Sequence, residues 1–500
     1  MGDRAPVLDE ERSVAIPAAA RSGAPRSGAG VRAGRGAVPA SGRPPGDRAG
    51  RGALPVPRGV PPRRATRPVP GQLPLPLEAL PVLPLEPEWQ GRPRLWGHAY
   101  HPMCSYLASF PAALAHGFVA RYTRPGDVVL DPFSGRGTTP LQACAEGRIG
   151  VGNDLSPLAH LLTAAKVEPP TARALEARLA ALRIAWSREA PAWDDRAAGL
   201  AGGGEPVPPD VALAFHPRTL GQVLFVRSSL RLADPADRFL AAAVAGILHG
   251  RRPGYLSGVM PNVFSMPPRY VRAYAARTGF RPPERELFAL LAAKLHRLAR
   301  DGRPSAPGIA LFGDARDAGA RARAALRGRA LPDRVRLVLA SPPYLRVVRY
   351  GSANWLRAWF LGFSAAAIDA SLDAHRRGPY AAFLREVLAG LRPVLADDAV
   401  VALVLGDVDA DGGRPTADGL PIGLADEVWE SAARPEGYLL AGVVRDEVAA
   451  ARKVTKLWGA EAGRATQVER ILVLAVSEVG RRRAIAGAAV PVDWRWPPRR

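Results

Sequence analysis

The sequence predicts a doubly wound α/β fold built on a mostly parallel sheet of seven strands. Two stretches carry the prediction. Val128 to Asp154, VVLDPFSGRGTTPLQACAEGRIGVGND, reads as strand, glycine turn, helix and strand, the opening unit of such a sheet. Far downstream, Val335 to Tyr344, VRLVLASPPY, is an apolar run that stops on Ser-Pro-Pro-Tyr. Five further apolar runs are spaced as strands: the one ending on Asp154, Gly308–Gly313, Ala399–Leu405, Tyr438–Val444 and Glu469–Val476.

Residues 1–85 are rich in Ala, Gly, Pro and Arg and poor in large apolar residues, so a disordered basic tail is expected there. Residues 86–170 hold the first part of the α/β domain. A helix over Ala112–Tyr122 precedes the turn Thr123–Asp127, and the first strand and the glycine loop follow. Ser156-Pro157 reads as the start of the next helix, with serine as cap and proline in the first helical position. Residues 171–305 read as a mostly helical insertion, beginning with a helix over Thr171–Glu189. Its centre, Arg251 to Tyr274, mixes Arg with Tyr, Phe, Pro and Gly and is too irregular for a plain helix. Residues 306–480 complete the α/β domain, with a helix over Tyr380–Leu395, and 481–500 read as a basic C-terminal tail.

Composition bounds the function. A hydrophobic share of 47% with 23% charged residues is that of a globular protein. No apolar run is long enough to cross a bilayer, and the N-terminus lacks the apolar centre of a secretory signal, so a cytoplasmic, non-membrane protein is expected. Two cysteines, Cys104 and Cys144, make a disulfide framework improbable. The net charge of +22 favours a polyanionic partner. Only four basic residues are lysine, so the arginine count itself reflects a composition bias and each arginine is not a nucleic-acid contact.

The chemistry is carried by the two landmark stretches. Gly135 and Gly137 let the loop after the first strand turn sharply and approach a ligand without Cβ collisions. Asp154, closing the second strand, stands where an acid accepts from both ribose hydroxyls of a nucleoside cofactor. A nicotinamide site is argued against by Pro140, which replaces the third glycine of the dinucleotide fingerprint. In the second landmark, Pro342 and Pro343 remove two backbone donors and leave carbonyl acceptors, Ser341 supplies a hydroxyl and Tyr344 a flat ring. Those parts suit a planar ring bearing an exocyclic amine. No Cys/His ligand cluster is present, and no metal is expected.

DPFSGRGTT, then GND, then SPPY resembles the exocyclic-amino DNA methyltransferases, which methylate N4 of cytosine or N6 of adenine with S-adenosylmethionine. The resemblance covers about residues 95–480. It implies that Asp131, Phe133, Ser134, Gly135, Gly137 and Thr138 cradle the cofactor, that Asp154 holds its ribose and that Asp314 in GDAR lies near its adenine. It implies a catalytic role for Ser341, Pro342, Pro343 and Tyr344, and a flipped base in double-stranded DNA as substrate. Ser-Pro-Pro-Tyr goes most often with cytosine N4; adenine N6 and an RNA target are the alternatives, and a nucleic-acid-binding protein with a dead site is the non-enzymatic one. The order of motifs places target recognition within 170–305, and the stretch after the motif, LRVVRYGSANWLRAWFLG, is read as lining the DNA cleft. A partner restriction endonuclease is compatible with the resemblance; the sequence gives neither a recognition site nor an oligomeric state.

Overall fold

The computed structural model describes residues 80–93, 95–107, 109–199, 206–343, 349–374, 380–406, 423–447 and 468–496. All belong to one compact unit, Pro74–Arg500. Its strands are β1 (Val128–Asp131), β2 (Ile149–Asp154), β3 (Gly308–Phe312), β4 (Val335–Ala340), β5 (Leu395–Gly406), β6 (Leu439–Glu447) and β7 (Val468–Ala475). They form a single seven-stranded sheet in the order β3-β2-β1-β4-β5-β7-β6. The first five are mutually parallel, and β7 runs antiparallel between β5 and β6.

Alternation along the strands explains the layers. Val128, Leu130, Val338 and Ala340 face one apolar cluster, while Val129, Leu337 and Leu339 face another. The second cluster is covered by α1 (Ala112–Tyr122). α2 (Thr138–Ala145) and α3 (Pro157–Val167) follow β1 and β2. The insertion comprises α4 (Ala172–Ala197), α5 (Pro209–Ala212), α6 (Pro217–Ser229), α7 (Pro235–Ile247), α8 (Pro268–Thr278) and α9 (Leu287–Leu298). It builds no core of its own. Leu182, Phe225, Phe239, Val271 and Leu291 share one cluster with Met103, Leu141 and Leu162 of the α/β domain.

After β3 come α10 (Ala318–Gly328), α11 (Tyr350–Ala353), α12 (Trp355–Phe360), α13 (Ala365–Ala374), α14 (Tyr380–Leu391), α15 (Leu424–Val428) and α16 (Glu478–Ala488). α10, α14 and α15 cover the first face of the sheet. The helix expected through Leu395 stops at Leu391, because Pro393 lacks an N–H and disfavours helix before it; β5 then begins at Leu395. The helix expected over Thr171–Glu189 instead runs on to Ala197, through Pro191. The irregular segment ends sooner than expected: Pro268 opens α8 and Gly279, at φ +61°, closes it.

Both termini of the domain differ from expectation. Most of the proposed 1–85 tail lies outside the described residues, but Leu83 and Leu85 are buried. Leu83 N donates to Val443 O at 2.9 Å and Val443 N to Pro81 O at 2.8 Å, so the chain joins the β6 edge before residue 85. The proposed 481–500 tail is largely folded. Gly480, Ala484 and Ala488 repeat at helical spacing, which seats α16 on the sheet, and Tyr122 Oη donates to Ala484 O at 3.0 Å. Trp494 then packs edge-on against His116 and Trp96.

Candidate active site

The carboxyl ends of β1, β2, β3 and β4 open on a cleft that communicates with solvent. This is the position at which open α/β sheets bind ligands. Its walls include Tyr106, Phe133, Gly135, Asp154, Ser156, Asp314, Ser341, Pro343 and Tyr350.

The glycine loop is held in place from two directions. Gly135, at φ +52°, donates its N–H to Asp154 Oδ2 at 2.8 Å, and Ser156 N donates to Asp154 Oδ1 at 2.9 Å. Asp154 thus ties the first loop to the start of α3. Underneath, Lys166 is fully buried and donates to Arg136 O at 2.5 Å. Gly137, at φ +77°, is needed for packing: a Cβ there would lie 2.9 Å from Thr163 Oγ1.

Burial sets the electrostatics. It raises the Asp154 carboxyl to about 6 against the opposing backbone donors of Ser156 and Gly135, and the Asp131 carboxyl to about 7. Burial and the neighbouring Asp154 keep the Tyr106 phenol well above its ordinary value, so its hydroxyl is protonated; it pairs with Ser156. The Tyr106 ring stacks on Tyr350 with centroids 5.8 Å apart and planes at 17°.

Of the residues singled out in the sequence, Phe133, Gly135, Asp154, Asp314, Ser341 and Pro343 come together on this cavity. Asp131, Ser134, Gly137, Thr138 and Pro342 do not line it. Asp131 lies behind the loop and accepts from Phe133 N at 3.0 Å; Ser134 Oγ meets Thr163 Oγ1 at 3.1 Å. Asp314 is engaged by Arg316 at 2.7 Å, and Arg316 also pairs with Glu386 at 2.9 Å. Tyr344 lies outside the described residues.

Sequence reasoning missed the wall positions Ser156, Tyr350, Leu372 and Phe383. Ser156 was assigned to capping, but its side chain makes no cap hydrogen bond. The reading of 345–362 as a cleft lining fails at Arg357. This residue is fully buried and donates to Ala245 O, Val263 O, Asn262 O and Asn354 Oδ1 at 2.6–3.2 Å. Backbone carbonyls satisfy it, and it anchors the insertion to α12.

The pKa directions give a test with two opposite trends. Between about pH 4 and 7 the folded apoprotein retains protons on Asp154 and Asp131 that the unfolded chain has released. Apoprotein stability should therefore fall as pH rises through that window. A ligand whose hydroxyls donate to Asp154 prefers its ionised form, so affinity for such a ligand should fall as pH drops below about 6. Calorimetric melting and titration at pH 5.0 to 7.5 check both; parallel trends would remove Asp154 from ligand binding.

Residues 87–164, which include the glycine loop and Asp154, match the N6/N4 methyltransferase family model, described as DNA methylase. A curated relative is the Type II methyltransferase M.MjaII of Methanocaldococcus jannaschii, 35% identical over 71 residues. The match spans 14% of this chain and 13% of that protein's length. Among solved structures, TrmN from Thermus thermophilus aligns at 13% identity over 75% of this chain and 52% of its own, with a TM-score of 0.26. The rRNA methyltransferase aviRa from Streptomyces viridochromogenes aligns at 13% identity over 76% of this chain and 89% of its own, with a TM-score of 0.27. Scores of that size carry nothing further. The matched segment, bearing DPFSGRGTT and GND, is thus similar to the DNA methylases of the N6/N4 methyltransferase family.

Proposed function

We propose that the protein transfers a methyl group from S-adenosylmethionine to the exocyclic amine of a base flipped out of double-stranded DNA, with cytosine N4 as the acceptor. The observation that carries this reading is the convergence of the glycine loop, Asp154 and Ser341 on one cavity. The residues fit the cofactor. A Cβ at Gly135 would find no protein atom closer than 3.9 Å, so the loop presents bare backbone to open space. Asp154 lines the cavity as the carboxylate acceptor for the ribose, and Phe133 and Phe383, with ring centroids 6.0 Å apart, offer apolar faces beside Asp314.

When bound, S-adenosylmethionine supplies an electrophilic methyl on a sulfonium. The chain's own work is positioning and electrostatics. Ser341 Oγ accepts from the target amine and draws its lone pair out of conjugation with the ring. Pro342 and Pro343 contribute no competing N–H. Tyr344 is assigned the stacking face for the base. Residues 86–170 and 306–480 act as the two halves of the catalytic domain and 171–305 as the target-recognition region. The choice of cytosine rests on Ser341 as the first residue of the motif.

Incubation with labelled S-adenosylmethionine and duplex DNA, followed by nucleoside mass spectrometry, should yield N4-methylcytosine. N6-methyladenine alone would overturn the base and leave the site; label in RNA but not DNA would overturn the substrate.

A further inference from the structure

Between Arg251 and Pro283 the chain carries six arginines and no acidic residue. Arg272 pairs with Asp210. The other five, Arg251, Arg252, Arg269, Arg277 and Arg281, are exposed, and their side chains make no hydrogen bond or ion pair among the described residues. Arginine abundance does not account for this. α10 also holds three arginines, and Arg321, Arg323 and Arg327 are all paired with Asp317 or Asp333.

The geometry of α8 gathers the unpaired charge. At 100° per residue, Arg269, Tyr270, Ala273 and Arg277 share the side opposite buried Val271. Tyr270 and Tyr274 stack with centroids 6.1 Å apart and planes at 15°. Arg269 and Arg277 are separated by about 12 Å along the helix axis, a span of three to four base pairs at about 3.4 Å each. The helix is also fixed relative to the cavity. Ser265 N donates to Ala353 O at 2.6 Å and Trp355 Nε1 to Met266 O at 2.6 Å, just before α8 begins. His249 braces the same loop through Pro261 O at 2.7 Å. The segment so held includes Tyr350, which lines the cavity.

We propose that the exposed face of α8, with Arg251, Arg252 and Arg281, is the docking surface for the sugar-phosphate backbone of duplex DNA. The proposal rests on the functional reading above and adds where the duplex sits. An unpaired guanidinium on the surface neutralises a phosphate and releases its counterion, so this surface contributes affinity and register and not base discrimination.

The test uses the full chain with Arg269→Gln, Arg277→Gln and Arg281→Gln combined, against the matched charge change Arg321→Gln, Arg323→Gln and Arg327→Gln on α10. Affinity for two unrelated duplexes is measured from 50 to 300 mM salt. The α8 variant should lower the slope of log K against log salt by about 2–3, weaken both duplexes equally and leave S-adenosylmethionine affinity unchanged. The α10 variant should leave the slope as it was. An unchanged slope for the α8 variant overturns the surface, as does an equal fall in slope for the α10 variant. Methyl transfer by the wild-type chain is scored separately: its absence with a shifted slope would end the functional reading and keep the surface.

Discussion

Gly135→Val should abolish S-adenosylmethionine binding and leave the protein folded. Two effects act at one atom. The backbone of Gly135 sits at φ +52°, where a β-branched residue is an outlier, with a strain of about 1–3 kcal/mol. Relief of that strain rotates the N–H that reaches Asp154 Oδ2 and releases the carboxylate that positions the ribose. If the loop holds instead, the two γ-carbons project into the cavity toward the Tyr106 ring, into space the cofactor needs. Either way the loss should reach at least about a hundredfold, the equivalent of some 3 kcal/mol. The fold should survive because a Cβ at this position meets no protein atom within 3.9 Å. Gly126→Val is the control: it carries comparable strain at φ +88°, with nothing within 4 Å, away from the cavity. Titration calorimetry showing unchanged affinity in Gly135→Val, or equal losses in both variants, would take this loop out of the site.

The same position shows why the sheet and half of the cavity were legible in the sequence. A parallel strand buried on both faces reads as an apolar run, and the residues that end it mark the ligand-binding edge. GIALF and VRLVLA stop at the cavity, ahead of Asp314 and at Ser341, and VVLD stops on Asp131, just before the glycine loop that lines it. What local pattern could not show was which distant segments close the other wall. Phe383 sits on α14, whose apolar spacing looks like that of any core-facing helix, and Tyr350 opens the four-residue α11, too short to show a period. Arg357 was misread for a related reason: a basic residue among tryptophans has the composition of a DNA contact, while its true partners are backbone carbonyls, which leave no trace in the sequence. The insertion was legible as helical, yet its fusion with the core around Met103 and Leu141 depends on contacts far apart in the chain. The C-terminal segment hid its helix behind arginines, although Gly480, Ala484 and Ala488 were a readable seam.

Ser341→Ala should separate binding from chemistry. Ser341 lines the cavity just past the end of β4, the strand paired with β1 and so next to its glycine loop. Removing Oγ leaves the backbone of β4 paired to β1 and β5, and Pro342 and Pro343 keep the turn rigid. Affinity for S-adenosylmethionine, which depends on Gly135 and Asp154, should not move. The cost should fall on the step in which the amine leaves conjugation. A hydrogen bond of the ground-state amine to Oγ exchanges for one to water and is nearly neutral, whereas a bond that strengthens as the nitrogen pyramidalises is lost only in the transition state. Removing one such preorganised partner typically costs a factor of about 10²–10³ in kcat. The expected result is therefore a fall of about a hundredfold in the single-turnover rate, with KM for duplex DNA and cofactor affinity within about twofold of the wild type. A rise in KM with an unchanged rate would make Ser341 a base-binding residue only. A full single-turnover rate would show that the amine is activated elsewhere.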